Sequence, residues 1–211
     1  VLNNCPDVKE STREKVNKVI KESNYVPNNS ARILKQSNTK NIGVLVRGVF
    51  NPFFSEMINV IGKEINKNKY TMILQQNDYG FGQDIENISA FVKEKRLQGI
   101  ICLGGNFTEV NEGSFNDINV PIVLTSINTF KLKEKGKVST VGIDNFKSAY
   151  DATKYLILSG HKNIAIMLGE KNDFSVSWWR YRGFKEALND YKIMINEKNI
   201  LNGDYDPEVA Y

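Results

Sequence analysis

Beyond Lys40, short apolar runs of strand length alternate with stretches whose apolar residues recur at helical spacing, and this alternation limits the chain to very few folds. The runs are Ile42–Val46, Tyr70–Leu74, Gly99–Leu103, Ile122–Leu124, Thr140–Ile143 and Ile164–Leu168. Between them, Phe54, Met57, Ile58, Ile61 and Ile65 mark one helix face, and Ile85, Ile88 and Val92 mark a second. A further β-α step is expected before Ile122. Later helices run through Ala149, Ala152 and Leu156, and through Phe184, Leu188 and Tyr191. Strands apolar on both faces, each followed by a helix, require a parallel sheet covered on both sides. The expected class is therefore α/β and doubly wound. The basic, turn-rich stretch at 128–137 (NTFKLKEKGK) interrupts the alternation and marks a junction between two units.

The first 40 residues differ in kind. They hold eight basic and four acidic side chains, whereas the remaining 171 residues carry twenty of each, so the whole net charge of +4 sits in the head. A positive excess confined to a small segment suits contact with a polyanion, and it suits a solvated helix face equally well. Val16, Val19 and Ile20 have helical spacing within Glu10–Asn24, which predicts a short amphipathic helix that ends before Pro27. A second helix can start at Asn28 and run through Ala31, Ile33 and Leu34. It falls below the ~12–15 residues at which an isolated helix is marginal in water, so something outside the local sequence must hold it.

A parallel sheet binds ligands beyond the carboxyl ends of its strands. In the first unit that place is RGVFNPFFS, from Arg47 to Ser55: Phe54 suits the core as the first apolar position of a helix, and Phe53 is the ring left to stack on a ligand. In the second unit it is EKNDFSVSWWRYRG, from Glu170 to Gly183. There one of the adjacent Trp178 and Trp179 can enter the core while the other faces a ligand beside Arg180 and Arg182. An aromatic helix start packed wholly on the sheet explains this stretch as well.

Other chemistries lack their residues. His161, the single histidine, lies in SGHKNIA between a helix end and a strand, the place for a structural or capping role. Gly104-Gly105 lacks dinucleotide-fingerprint spacing, and nucleophile elbow, phosphate loop and metal-ligand cluster are all missing, so no enzyme, catalytic residue, metal or cofactor is expected. Cys5 and Cys102 are read as reduced thiols of a cytoplasmic protein. No apolar run approaches the roughly 18 residues a bilayer requires, and the first residues do not have the form of a secretory signal.

The succession VLNN, VKESTREKVNKVIKESNYVPNNSARILK, NIGVLV, NPFF, VGIDN, LSGHKNIAIMLG and RYRGFKEAL closely resembles bacterial transcriptional repressors of the lactose/galactose repressor family, in the family's order along the whole chain. The resemblance implies a periplasmic-binding-protein-like, two-lobed core preceded by the remnant of an all-α helix-turn-helix headpiece and a hinge helix. Residues 1–27 would be the end of the headpiece, 28–40 the hinge helix and linker, 41–139 the N-terminal lobe and 140–211 part of the C-terminal lobe. Most of the helix-turn-helix and the rest of the C-terminal lobe would lie outside this sequence.

Matched by position, Leu34 is implied to wedge into the minor groove at the centre of the operator, with the short hinge helix ordering as it binds. Asn3, Lys9, Thr12, Tyr25, Asn28 and Ala31 fall where family members touch phosphates or the groove. Phe53 and Phe54 match the loop lining the effector pocket, Arg180 the arginine that fixes an effector, and Asp144 the crossover between lobes. Trp179 is placed with this site, and Ser126 stands at a strand end where many relatives carry aspartate. The implied protein is a homodimeric or higher-order DNA-binding regulator with no membrane partner. It binds double-stranded operator DNA and a sugar, sugar phosphate or purine. The rival reading is a solute-binding protein of a sugar transport system with the same two-lobed fold, which would have no use for the basic head.

Overall fold

The computed structural model describes residues 1, 7–23, 25, 39–47, 52–76, 84–105, 107, 110, 113–127, 136–169, 176–205 and 207–211. Two compact units are distinguished, Val1–Thr39 and Lys40–Tyr211.

In the first unit, α1 spans Glu10–Glu22. It ends two residues short of the expected Asn24: the Tyr25 N–H reaches back five residues to the Ile20 carbonyl at 3.1 Å, the acceptor that a continuing helix would give to residue 24. None of its residues is buried, and Val16 and Val19 are exposed. The proposed hinge helix, with Asn28, Ala31 and Leu34, lies outside the described residues, as does Asn3.

In the second unit, β1 (Asn41–Val46), α2 (Pro52–Lys67), β2 (Thr71–Gln76), α3 (Asp84–Glu94), β3 (Gly99–Leu103), β4 (Ile122–Thr125) and β5 (Val138–Val141) follow in order. The five strands form one parallel sheet in the order β2-β1-β3-β4-β5. Strand neighbours alternate in facing direction, so Val44, Val46 and Leu103 join Phe54 and Ile65 of α2 on one face. Leu45, Ile100, Cys102, Ile122 and Leu124 join Ile88 and Phe91 of α3 on the other. Two covered faces are what the continuous apolar strands demand.

Two expectations change here. Instead of a helix between β3 and β4, the described residues show turns at 113–117. There Phe115 and Ile118 still fill the core, so burial is met without helical periodicity. The strand expected at Thr140–Ile143 starts two residues earlier, and its partner is β4, with Ile122 opposite Val138 and Thr125 opposite Val141. The lobe border drawn at 139/140 thus falls inside a strand that hydrogen bonding assigns to the first sheet.

The chain continues with α4 (Asn145–Leu158), β6 (Ile166–Leu168), α5 (Val176–Asp190), a 3-10 turn at Glu197–Asn199, β7 (Ile200–Asn202) and the short α6 (Pro207–Ala210). β6 and β7 pair in parallel as a second, two-stranded sheet. In α4 the expected Ala152 and Leu156 face solvent, and Asn145 and Thr153 are the buried residues. The reason is the close approach of α5: a Cβ on Gly183 would fall 2.1 Å from the Phe146 carbonyl oxygen and 2.9 Å from the Tyr150 nitrogen. Backbone against backbone leaves room on that face for compact polar side chains. Thr153 is accommodated by donating to the Ala149 carbonyl at 2.7 Å. Among the described residues no helix is long and apolar enough to cross a membrane.

Candidate functional site

At the carboxyl edge of the first sheet, the ladder runs one residue past the strands. The Arg47 N–H donates to Leu103, the Gly104 N–H to Thr125 and the Ser126 N–H to Val141, at 3.0, 3.0 and 3.2 Å. Gly104 and Ser126 both have positive φ, 76° and 53°, so the chain turns sharply away from the sheet at adjacent strand ends. For Ser126 this left-handed conformation is uncommon and reflects the ladder bond that pins it. Phe54 is buried beneath Gly104, whose added Cβ would lie 3.1 Å from the Phe54 ring. Phe53 leans on it with ring centroids 5.4 Å apart and stands 60% exposed. Of the two rings, Phe53 is the exposed one, as its place off the helix stripe suggests.

Ser126 is bonded to the last residue of β5, three positions before Asp144. Asp144 caps α4: its Oδ1 accepts the Lys147 N–H at 2.9 Å and its carbonyl accepts the Ser148 hydroxyl at 2.7 Å. Lys147 in turn holds Asp151 at 2.7 Å, and that bond raises its pKa. Next to Asp144, the buried Asn145 receives the Nε–H of Arg180 on its Oδ1 at 3.0 Å and donates through Nδ2 to the Ile143 carbonyl at 3.3 Å. The end of β5, the cap of α4 and the arginine of α5 therefore converge, although they are distant in sequence.

The tryptophan pair differs from the expectation of one core ring and one ligand-facing ring. Trp178 is exposed and Trp179 half-buried, their rings meeting edge to face at 5.2 Å. The Arg182 guanidinium lies 4.8 Å from one ring centroid and 5.2 Å from the other, so both indoles are engaged by a cation on their own helix.

Three further residues join these, of which Tyr205 and Asn145 were not singled out from the sequence and Ser177 only as a neighbour of the tryptophans. Ser177, buried at the start of α5, accepts the Gly169 N–H at 2.9 Å and bonds the Tyr205 hydroxyl at 2.9 Å. Tyr205 lies beyond the carboxyl end of β7, and its ring covers Gly169, where an added Cβ would sit 2.0 Å away. Asn145 is the third. The turn NGDYD just after a strand end is the available signal for Tyr205; Ser177 and Asn145 carry none.

Elsewhere, the His161 N–H donates to the Leu156 carbonyl at 3.1 Å and closes the end of α4, as a capping role requires. A groove of about 450 Å³ lined by Ile157, His161, Lys162, Tyr191, Lys192 and Ile193 lies at the carboxyl ends of α4 and α5, away from Arg180 and Asn145. Burial, reinforced by the charge of Asp84, pushes the Cys102 thiol far up, so it is no thiolate near neutral pH. Among the described residues no group of three or more His, Cys, Asp or Glu is placed to hold a metal.

Of the head residues, the Lys9 carbonyl accepts the Thr12 and Arg13 N–H groups at 3.0 Å, which starts α1, and Thr12 lies exposed in its first turn. Tyr25 is exposed, with its N–H on the Ile20 carbonyl at 3.1 Å.

Residues 39–211 match the family described as periplasmic binding proteins and sugar binding domain of LacI family, and residues 1–28 match bacterial regulatory proteins, lacI family. The chain is 63% identical over 211 residues to the HTH-type transcriptional regulator MalR of Clostridium butyricum, covering 100% of this chain and 63% of that protein. It is 32% identical over 205 residues to Catabolite control protein A of Priestia megaterium, covering 97% of this chain and 60% of that protein. The crystal structure of transcription regulator CcpA of Lactococcus lactis superposes with a TM-score of 0.64 at 27% identity, over 81% of this chain and 61% of that one. The chain thus spans about three fifths of the length of the curated relatives it matches.

Proposed function

Since this chain belongs to the LacI family of bacterial regulatory proteins, we propose that it is the DNA-anchoring and effector-sensing part of a transcriptional repressor. In this reading a homodimer holds double-stranded operator DNA through the basic head, and a small molecule bound beyond the strand ends of the core sets the affinity. A sugar or sugar derivative is the effector class favoured, because the matched family is described as a sugar binding domain. The donors and rings at the edge suit it: Arg180 with its fork, the exposed ring of Phe53, Trp179, and Ser126 and Asp144 at the crossover. The protein would act in the cytoplasm, where its operator is.

The observation that carries the proposal is the union of two matches in one chain: a regulatory head at 1–28, within the first 40 residues that hold the charge excess, and a sugar-binding core at 39–211. A transport-type binding protein shares the core and has no reason for the head. An effector can shift operator affinity only by as much as its own affinity differs between the two states. If Leu34 and its segment order only on DNA, the head can be released by small changes in how two cores sit.

The test uses the full-length protein and labelled duplexes selected from its own upstream DNA. Affinity should fall steeply with added salt, with log Kd roughly linear in log salt, as lysines and arginines displace condensed cations. A sugar that shifts this affinity and also raises the melting temperature would support both parts. Absence of duplex affinity at low salt, with and without sugars, would overturn the regulator reading.

A further inference from the structure

We propose that Asn145 is a positioning residue for the effector, acting by aiming the guanidinium of Arg180; the inference rests on Arg180 belonging to the sugar site proposed above. A free arginine swings about several torsions and loses that freedom on binding. Here the Nε–H is already bonded to the Asn145 Oδ1 at 3.0 Å. The amide cannot turn over without setting its NH2 against that N–H and its oxygen against the Ile143 carbonyl, which its Nδ2 now bonds at 3.3 Å. Asn145 is itself 4% exposed at the first position of α4, and Arg180 is exposed. The support under both is stiff, because α5 meets α4 backbone to backbone at Gly183, three residues after Arg180.

The chemistry of the partner matters as much as its geometry. Nε is used, and among the described residues no other hydrogen bond is made by the two terminal NH2 groups, which form the fork of the guanidinium. The partner is a neutral amide, and among the described residues no carboxylate lies within ion-pair distance of Arg180. Its charge therefore stays available to a ligand carrying two neighbouring acceptor oxygens, as vicinal sugar hydroxyls do. An aspartate in the same place would hold the arginine and also neutralise it.

The experiment titrates full-length protein by calorimetry with D-glucose, maltose, lactose, cellobiose and glucose 6-phosphate, and follows the Arg180 Nε–H by ¹H–¹⁵N NMR. For the sugar that binds, Asn145→Ala should weaken affinity about 10-fold and Arg180→Lys more, as expected for loss of a bond to a charged group. The double variant Asn145→Ala/Arg180→Lys should bind no more weakly than Arg180→Lys alone, since Asn145 acts only through that guanidinium. The slowly exchanging Nε–H signal should vanish in Asn145→Ala and persist in Asn145→Asp, which keeps the acceptor. Additive losses in the double variant, or unchanged affinity in Asn145→Ala with wild type binding normally, overturn the proposal and leave the sugar reading standing. Binding of none of the five probes by wild type overturns both. Should Asn145→Ala fail to fold, Asn145→Asp decides alone: retained Nε–H protection with affinity reduced by neutralisation supports the proposal, and full affinity refutes it.

Discussion

The five-stranded sheet and the α4–α5 pair make their closest contacts in different ways. Around the sheet Asp84 and Thr125 are buried among predominantly apolar side chains, and the tightest approach is of side-chain tips: a Cβ on Gly43 would meet Leu97 Cδ1 at 2.4 Å and Phe91 at 2.9 Å. Between α4 and α5 the closest approach is backbone to backbone, and two bonds cross the pair, from Arg180 to the buried Asn145 and from Tyr150 to Asp190. Apolar packing is tolerant of small shifts, whereas hydrogen bonds made across a helix crossing depend on the crossing itself. The first arrangement suits a scaffold. The second suits a place where particular side chains must be aimed.

The largest expected effect tests this contrast directly. Gly183→Ala should cost about 3 kcal/mol or more, because the new methyl meets a carbonyl oxygen and two helices must separate, while Gly43→Ala should cost roughly 1–2 kcal/mol as side chains yield. Urea unfolding of the full-length protein measures both. Equal losses would remove the distinction between the two halves. A smaller effect is expected for Ser177→Ala, about 1–2 kcal/mol, since the Gly169 N–H loses its acceptor in a buried place. If that variant were as stable as wild type by thermal melting, the polar seam would be dispensable.

The smallest effect is a dependence on pH. Tyr150 of α4 donates to Asp190 of α5 at 2.6 Å, and this bond, with burial and the nearby negative charge, pushes the phenol up from its ordinary 10 to about 12. A group whose pKa is raised on folding stabilises the fold fully below its unfolded value. The contribution should be present up to about pH 10 and vanish as the pH rises towards 12. The stability difference between wild type and Tyr150→Phe, taken from urea unfolding at pH 9 and pH 11.5, should therefore shrink. A constant difference would mean that the clasp between these helices carries no weight.

The tryptophans show why the second half was harder to read. Adjacent residues on a helix diverge, which suggests one ring in and one out; in the fold a cation four residues from Trp178 gathers both. A helix stripe of Ala149, Ala152 and Leu156 looked like the packed face of α4, yet Gly183 rotates the contact onto Asn145 and Thr153. In the first half, by contrast, the runs at 42–46 and 99–103 became β1 and β3 nearly residue for residue, and Phe54 entered the core as its helical position indicates.

The sequence by itself determined the parallel sheet with helices on both faces, the helical start of the head and the location of its charge. These properties are periodic or compositional, and each residue contributes to them without reference to a distant one. The tertiary structure alone decided that β5 closes the first sheet, that Asn145 meets Arg180 across 35 positions and that Ser177 meets Tyr205 across 28. Such pairs form or fail over a few tenths of an ångström in how the elements pack, a distance set jointly by many residues and encoded in no short stretch.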